Sequence, residues 1–144
     1  MTNQVGVIGL GYVGLPLSLA MIEAGYDVVG VDIDDDRIDA LRNGSSYVND
    51  VTDDAVSKAL TNEFRPTTEY AALSDADAVS ICVPTPMRKS GTPNLSHVAD
   101  AVEELAMVVP EGATVILEST VYPGATEEFV DETLTEIGHT VGED

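Results

Sequence analysis

Short apolar runs alternate with helical patterns along nearly the whole chain. Val5 to Ile8 is an apolar run that reads as a strand buried on both faces. A helix follows over about Tyr12 to Ala24, apolar on nearly all sides, with only Ser18 and Glu23 clearly polar. Such a helix is expected to be buried all round. Pro16 falls in or just after its first turn, where a missing N–H costs little, and Gly25 ends it. Asp27 to Val31 predicts the second strand, closing on Asp32. Asp34 is placed to cap a helix over about Asp35 to Arg42, which Asn43-Gly44 closes.

Ser45 to Asp53 is a polar loop without periodicity, and a helix over about Asp54 to Thr61 follows it. Phe64 to Thr68 predicts a short edge strand, because Pro66 excludes a central one. A helical turn over Glu69 to Leu73 leads to the apolar strand Ala78 to Val83. After the polar loop Met87 to Thr92, Leu95, Val98, Val102, Leu105, Ala106 and Val109 mark one face of an amphipathic helix. Ala113 to Leu117 is the next strand. An acidic helix then runs to about Ile137, burying Val130, Leu134 and Ile137, and His139-Thr140-Val141 begins a further strand. Strands and helices in strict alternation imply an α/β fold, a doubly wound parallel sheet of the Rossmann type in a single domain.

Ligands of such sheets sit outside the carboxyl ends of the strands, and the chain's special residues fall there. Gly9-x-Gly11-x-x-Gly14 turns the first strand directly into the first helix. The first glycine permits the tight turn, the second removes a side chain where backbone approaches phosphates, and the third lets helix and strand pack closely. The helix N-terminus offers unpaired N–H groups and a positive dipole end to a diphosphate. Three spaced glycines alone are a weak signal, but Asp32 lies 18 residues after Gly14, near the spacing of a ribose-binding carboxylate. A carboxylate there repels a 2′-phosphate, which favours NAD over NADP. Arg37 either flanks the adenosine or pairs on the surface with Asp34 or Asp36. Pro84-Thr85-Pro86 fixes the backbone at the end of another strand and aims Thr85 beyond it. Ser119-Thr120 follows the next strand in the same way.

Composition bounds this picture. The 144 residues suffice for one domain with a sizeable core. No basic leader precedes the first strand, and no apolar run approaches the ~20 residues needed to span a bilayer. Cys82 is the single cysteine, which excludes an internal disulfide and fits a reducing compartment, with the cytoplasm as default. It lies in an apolar run and is expected in the core, not as a nucleophile. His97 and His139 lack partners at ligand spacing and are expected to be solvated, so no metal is expected. The 26 acidic residues against 6 basic ones give a net charge of −20. That surface repels nucleic acid and anionic membrane. The acids are dispersed over helices and loops, which points to a folded protein adapted to a salt-rich cytoplasm and away from an acidic docking patch.

The segments Gly9-Leu-Gly-Tyr-Val-Gly-Leu-Pro16, Cys82-Val-Pro-Thr-Pro86 and Glu118-Ser-Thr-Val-Tyr-Pro-Gly124 together resemble the UDP-glucose/GDP-mannose dehydrogenase family. The likeness covers essentially the whole chain as that family's N-terminal NAD-binding domain, and most resembles members acting on UDP-N-acetylglucosamine or UDP-N-acetylmannosamine. It implies oxidation of the C6 alcohol of a nucleotide sugar to a carboxylate with two NAD, through a cysteine nucleophile. By match of motif, NAD would contact the turn Gly9, Gly11, Tyr12, Val13 (through its backbone) and Gly14. It would also contact Asp32, Arg37, Pro84, Thr85, Ser119 and Thr120. Thr120 would lie near the nicotinamide and help place a water or the substrate, the one catalytic auxiliary in the chain. The resemblance also implies a homodimeric full-length enzyme with a nucleotide-sugar substrate. The family's dimerisation helix, sugar-binding domain and nucleophile have no counterpart in this sequence. The isolated chain is therefore expected to bind NAD, to be inactive alone, and to expose an apolar patch near its C-terminal half.

Two other classes share the cofactor signature. A regulatory NAD-sensing module, of the kind attached to potassium channels, explains the glycine turn and Asp32 but not Pro84-Thr85-Pro86 or Ser119-Thr120. A dehydrogenase of hydroxy acids or hydroxyacyl thioesters would share this half and differ in the other.

Overall fold

A computed structural model describes residues 3–92, 94–118 and 130–142. Among these residues, five parallel strands form one sheet: β1 (Gln4–Ile8), β2 (Asp27–Val31), β3 (Phe64–Thr67), β4 (Ala78–Ile81) and β5 (Thr114–Leu117). Their order is β3-β2-β1-β4-β5. The chain builds outward from β1 in one direction, then returns to its other side at β4. The doubly wound parallel sheet expected from the alternation is the one observed. Strand β3 sits at the sheet edge, where Pro66 is tolerated.

Among the described residues, five helices cover the sheet: α1 (Gly14–Glu23), α2 (Asp35–Arg42), α3 (Asp53–Thr61), α4 (Ser96–Ala106) and α5 (Glu132–Ile137). A 3₁₀ turn at Tyr70–Leu73 precedes β4. The period of two along the strands divides the core. Val7 and Val28 pack with Leu15, Ile22, Ile38, Leu41 and Val56 on one face. Ile8, Val29, Val31, Val79 and Ile81 pack with the α4 residues Val98, Val102 and Leu105, and with Val130 and Leu134, on the other. Strand β1 is buried from Val5 to Ile8 because both cores lean on it.

Several expectations shift. Helix α1 starts at Gly14, not Tyr12, and only Gly14, Leu15, Ser18 and Ile22 are buried along it. Leu17, Leu19 and Met21 are half-buried and Ala20 is exposed, so the helix covers one face of the sheet and is not enclosed. Helix α2 has the expected bounds, and the Asp34 carboxylate accepts from the amides of Asp36 and Arg37 at 3.0 and 3.3 Å. The polar loop after it is anchored: Val48 and Val51 are buried, and Ser46 N donates to Asp53 Oδ1 at 2.7 Å. Strand β4 stops at Ile81, two residues early, because its partner β1 has already turned away at Gly9.

Toward the C-terminus, Val130 and Leu134 are buried as expected, but Ile137 is exposed. His139 and Thr140 are not in a strand, and Val141 lies in a turn. His139 is half-buried, with Nε2 3.0 Å from the carbonyl oxygen of Ala106, so it is not solvated. Met107, Ile116, Ile137 and Val141 are exposed in this half of the chain. No helix among the described residues is long and apolar enough to cross a membrane.

Candidate functional site

Strands β1 and β4 are neighbours whose connections leave in opposite directions, which opens a crevice above their carboxyl ends. A cleft of about 1170 Å³ lies there. This exceeds the ~300–1,000 Å³ of ordinary small-molecule pockets and suits an extended ligand with two nucleotide halves.

The floor is the glycine turn. Gly9 has φ +92°, and a Cβ there would lie 2.8 Å from the Cys82 carbonyl oxygen, so only glycine fits between the two strand ends. Gly9 N donates to Val31 O at 2.8 Å, which ties the turn to β2. Gly14 sits behind the turn, outside the cleft wall, where a Cβ would lie 1.6 Å from the Gly9 carbonyl oxygen. Gly11 differs: a Cβ there meets only Arg37 Nη1, at 3.7 Å. The space above Gly11 is therefore open, the condition for backbone to approach a diphosphate. Val13 caps α1 without any side-chain bond. The amides of Gly11, Tyr12 and Val13 meet no protein acceptor among the described residues. Donors and dipole end thus face the cleft together.

Asp32 supplies the acid. It is 7% exposed, at the end of β2. Its Oδ2 accepts from Leu10 N at 2.9 Å and its Oδ1 from Asp34 N at 2.9 Å, so two backbone donors fix the carboxylate beside the turn. Arg37 Nη1 lies 3.3 Å from the same Oδ2, and Arg37 Nε lies 3.9 Å from Asp34 Oδ2. The arginine therefore joins Asp32 and Asp34, not Asp36. It is also on the cleft wall with Gly9, Gly11, Tyr12 and Val13.

The opposite wall is formed by Cys82, Val83, Pro84 and Thr85 beyond β4 and by residues of α4. Thr85 is half-buried at the place expected of it. Ser119 and Thr120 lie outside the described residues; Glu118, just before them, is on the wall. Ile33, Thr68, Tyr70 and His97 also line the cleft, and no sequence signal marked them for it. His97 is half-buried there, which corrects the solvated position expected of it. Burial first, then the charges of Glu104, Asp32 and Asp100, push the Tyr70 phenol up to about 12. It stays a neutral hydroxyl at physiological pH.

Cys82 is not a fully buried core residue. It is half-buried on the cleft wall, directly beyond β4, and its Cβ is 3.3 Å from where a Cβ on Gly14 would lie. Burial, then the Glu118 carboxylate, push its thiol up to about 11 from 9.0. A folded-state pKa above the unfolded value leaves stability intact below about pH 9 and removes it as pH rises toward about 11. The thiolate is the reactive form. Alkylation of the native chain at pH 8 is expected to be roughly a hundredfold slower than that of the unfolded chain, as followed by mass spectrometry. Equal rates would show that the thiol is not protected.

Residues 3–142 match the model of the UDP-glucose/GDP-mannose dehydrogenase family, NAD binding domain. The chain belongs to that family. The expected cofactor, NAD, is the one the matched domain takes. The chain is 38% identical over 128 residues to protein CapL of Staphylococcus aureus, covering 89% of this chain and 29% of that protein. The structure of a UDP-D-ManNAc dehydrogenase from Pyrococcus horikoshii superposes with TM-score 0.90 at 33% identity, over 98% of this chain and 34% of that one. A ternary complex of GDP-mannose dehydrogenase from Pseudomonas aeruginosa superposes with TM-score 0.86 at 29% identity, over 92% and 32%. The chain thus spans about a third of the length of the relatives it matches. The family match favours the nucleotide-sugar dehydrogenases over the sensing modules and hydroxy-acid enzymes.

Proposed function

We propose that these 144 residues are the NAD-binding domain of a nucleotide-sugar 6-dehydrogenase. Its substrate would be a UDP-N-acetylhexosamine, or UDP-glucose, oxidised at C6 to the uronic acid. The observation that carries this reading is the fixed Asp32 carboxylate beside an open glycine turn at the β1/β4 crevice. NAD, when bound, supplies the hydride acceptor. The chain's own residues hold and orient it. The amides of Gly11 to Val13 and the α1 dipole take the diphosphate, and Asp32 takes the ribose diol, with Arg37 beside it. Pro84 and Thr85 border the nicotinamide half; by their match to the family's motif, Ser119 and Thr120 are assigned to the cofactor as well, and Thr120 to placing a water or the substrate. Cys82, with its thiol raised to about 11, is not assigned as the nucleophile, and the chain alone is expected to bind the cofactor without turnover. The sugar site, the nucleophile and the homodimer belong to parts of the enzyme beyond the matched domain.

The acid excess bears on how this works. Asp34, Asp100, Glu103, Glu104 and Glu118 rim a cleft meant for a diphosphate, against one arginine. In dilute buffer they repel it. At molar salt the Debye length falls to ~3 Å, which leaves the close contacts and screens the rim. This fits a protein of a salt-rich cytoplasm.

Calorimetry in molar potassium chloride tests the reading. NAD is expected to bind, and NADP roughly a hundredfold more weakly, because a 2′-phosphate would meet the fixed Asp32 carboxylate. A preference for NADP, or no binding of either, would overturn it.

A further inference from the structure

The loop between α2 and α3 brings Tyr47 under the adenosine end of the cleft, though Tyr47 is not on the cleft wall. Its hydroxyl donates to the carbonyl oxygen of Leu10, inside the glycine turn. Its ring lies under the Arg37 guanidinium, whose carbon is 5.2 Å from the ring centroid. That guanidinium reaches Asp32 Oδ2, and Asp32 in turn holds Leu10 N. Leu10 is thus gripped at both ends of its peptide: its amide by Asp32 and its carbonyl by Tyr47. The closed circuit Tyr47–Arg37–Asp32–Leu10 joins the diphosphate cradle to the ribose acid.

Tyr47 is itself held firmly. Val48, next to it, is buried, and Val48 N donates to Ser46 Oγ at 3.1 Å. Val51 N donates to Val48 O at 3.0 Å, and Ser46 N donates to Asp53 Oδ1 at 2.7 Å. A loop tied this often presents its aromatic ring in one place. Burial, then the charge of Asp32, raise the phenol above its ordinary range, partly offset by Arg37, and Asp34 adds a smaller rise. The hydroxyl therefore stays a donor at physiological pH.

We propose that Tyr47 is a positioning residue for cofactor selectivity: its ring holds Arg37 down against Asp32, so that the guanidinium is not free to receive a 2′-phosphate. An arginine near a ribose acid can serve either dinucleotide. Stacked on an aromatic face and bonded to the acid, it is committed to one arrangement. The ring and the hydroxyl have separate tasks. The ring sets Arg37, and the hydroxyl steadies the turn.

This inference rests on the NAD-binding reading. The test measures NAD and NADP dissociation constants by calorimetry for the wild-type chain, Tyr47→Phe, Tyr47→Ala, Arg37→Ala and the Tyr47→Ala/Arg37→Ala double variant, with thermal midpoints alongside. Tyr47→Phe keeps the ring and is expected to weaken both dinucleotides about threefold, through the lost bond to Leu10, with selectivity unchanged. Tyr47→Ala is expected to weaken NAD roughly tenfold while NADP weakens less, so that the NAD/NADP ratio narrows. In the Arg37→Ala background, Tyr47→Ala is expected to leave the ratio unmoved, because its effect on selectivity acts through the arginine. An equal loss of both dinucleotides in Tyr47→Ala, as a merely structural role would give, overturns the inference. So does a narrowed ratio that persists without Arg37. A wild-type chain that binds neither dinucleotide overturns the underlying reading as well, whereas one that binds NAD while Tyr47→Ala leaves the ratio unchanged overturns this inference alone.

Discussion

Gly14→Ala is expected to lower the thermal midpoint of the chain by about 10 °C or more, as followed by circular dichroism. The added methyl would lie 1.6 Å from the Gly9 carbonyl oxygen and 2.8 Å from its carbon. Those are backbone atoms, so no side-chain rotation relieves the overlap. Either α1 moves off the sheet or the turn opens. Moving α1 disturbs the packing of Leu15 and Ile22 against Val7 and Val28. Opening the turn breaks the bonds from Gly9 N to Val31 O and from Leu10 N to Asp32 Oδ2. Overpacking of a core side chain typically costs ~1–3 kcal/mol, and an overlap with fixed backbone belongs at or above the top of that range. A Gly14→Ala midpoint within ~2 °C of wild type would mean that the helix does not pack on the turn as closely as described.

The frame of this fold is legible in the sequence because its signals are local. The bounds of β2 follow from the apolar run ending in Asp32, and the start of α2 from the Asp34 cap. The buried face of α4 follows from a 3.6-residue period, and Leu95, Val98, Val102, Leu105, Ala106 and Val109 are all buried. Local patterns fail where placement depends on a distant partner. Strand β4 ends at Ile81 although the apolar run continues, since the neighbouring strand sets how far pairing can go. Cys82 and Val83 are then left on the cleft wall, where residue type alone assigns them to the core. Helix α1 is apolar on nearly all sides yet covered on one, because periodicity reports composition and not what lies opposite.

The site divides along the same line. Gly9, Gly11, Asp32, Pro84 and Thr85 are marked by residue type and by their position at strand ends, and the fold brings them to one cleft. Tyr47 sits in a stretch without periodicity, 37 residues from the carbonyl it holds. Tyr70 and His97 reach the cleft only through the packing of the 3₁₀ turn and α4. The surface pairing of Arg37 with Asp34 is realised, but it is not the arginine's only contact. One guanidinium spans Asp32 and Asp34 while lining the cleft.

Gly11→Val separates binding from folding, which Gly14→Ala does not. At Gly11 the nearest atom to an added Cβ is Arg37 Nη1 at 3.7 Å, an ordinary contact with the end of a flexible side chain. Gly11 also lacks the positive φ that makes Gly9 intolerant of a side chain. The variant is therefore expected to melt within ~2 °C of the wild type, the range of a substitution that creates no overlap. Its isopropyl group, however, stands where the diphosphate must approach the backbone. Amides kept from the phosphates cannot make charge-assisted bonds, each worth about 1.5–3 kcal/mol. Loss of one or two of them weakens NAD by roughly a hundredfold or more, read by calorimetry in molar salt. A fragment that lacks the diphosphate is the control. Adenosine, which depends on Asp32 and its surroundings, is expected to lose far less affinity than NAD. Were adenosine and NAD to weaken alike, the methyl groups would be disturbing Arg37 and Asp32 and not the phosphate cradle. Undiminished NAD binding by a stable Gly11→Val chain would place the diphosphate somewhere other than over this turn.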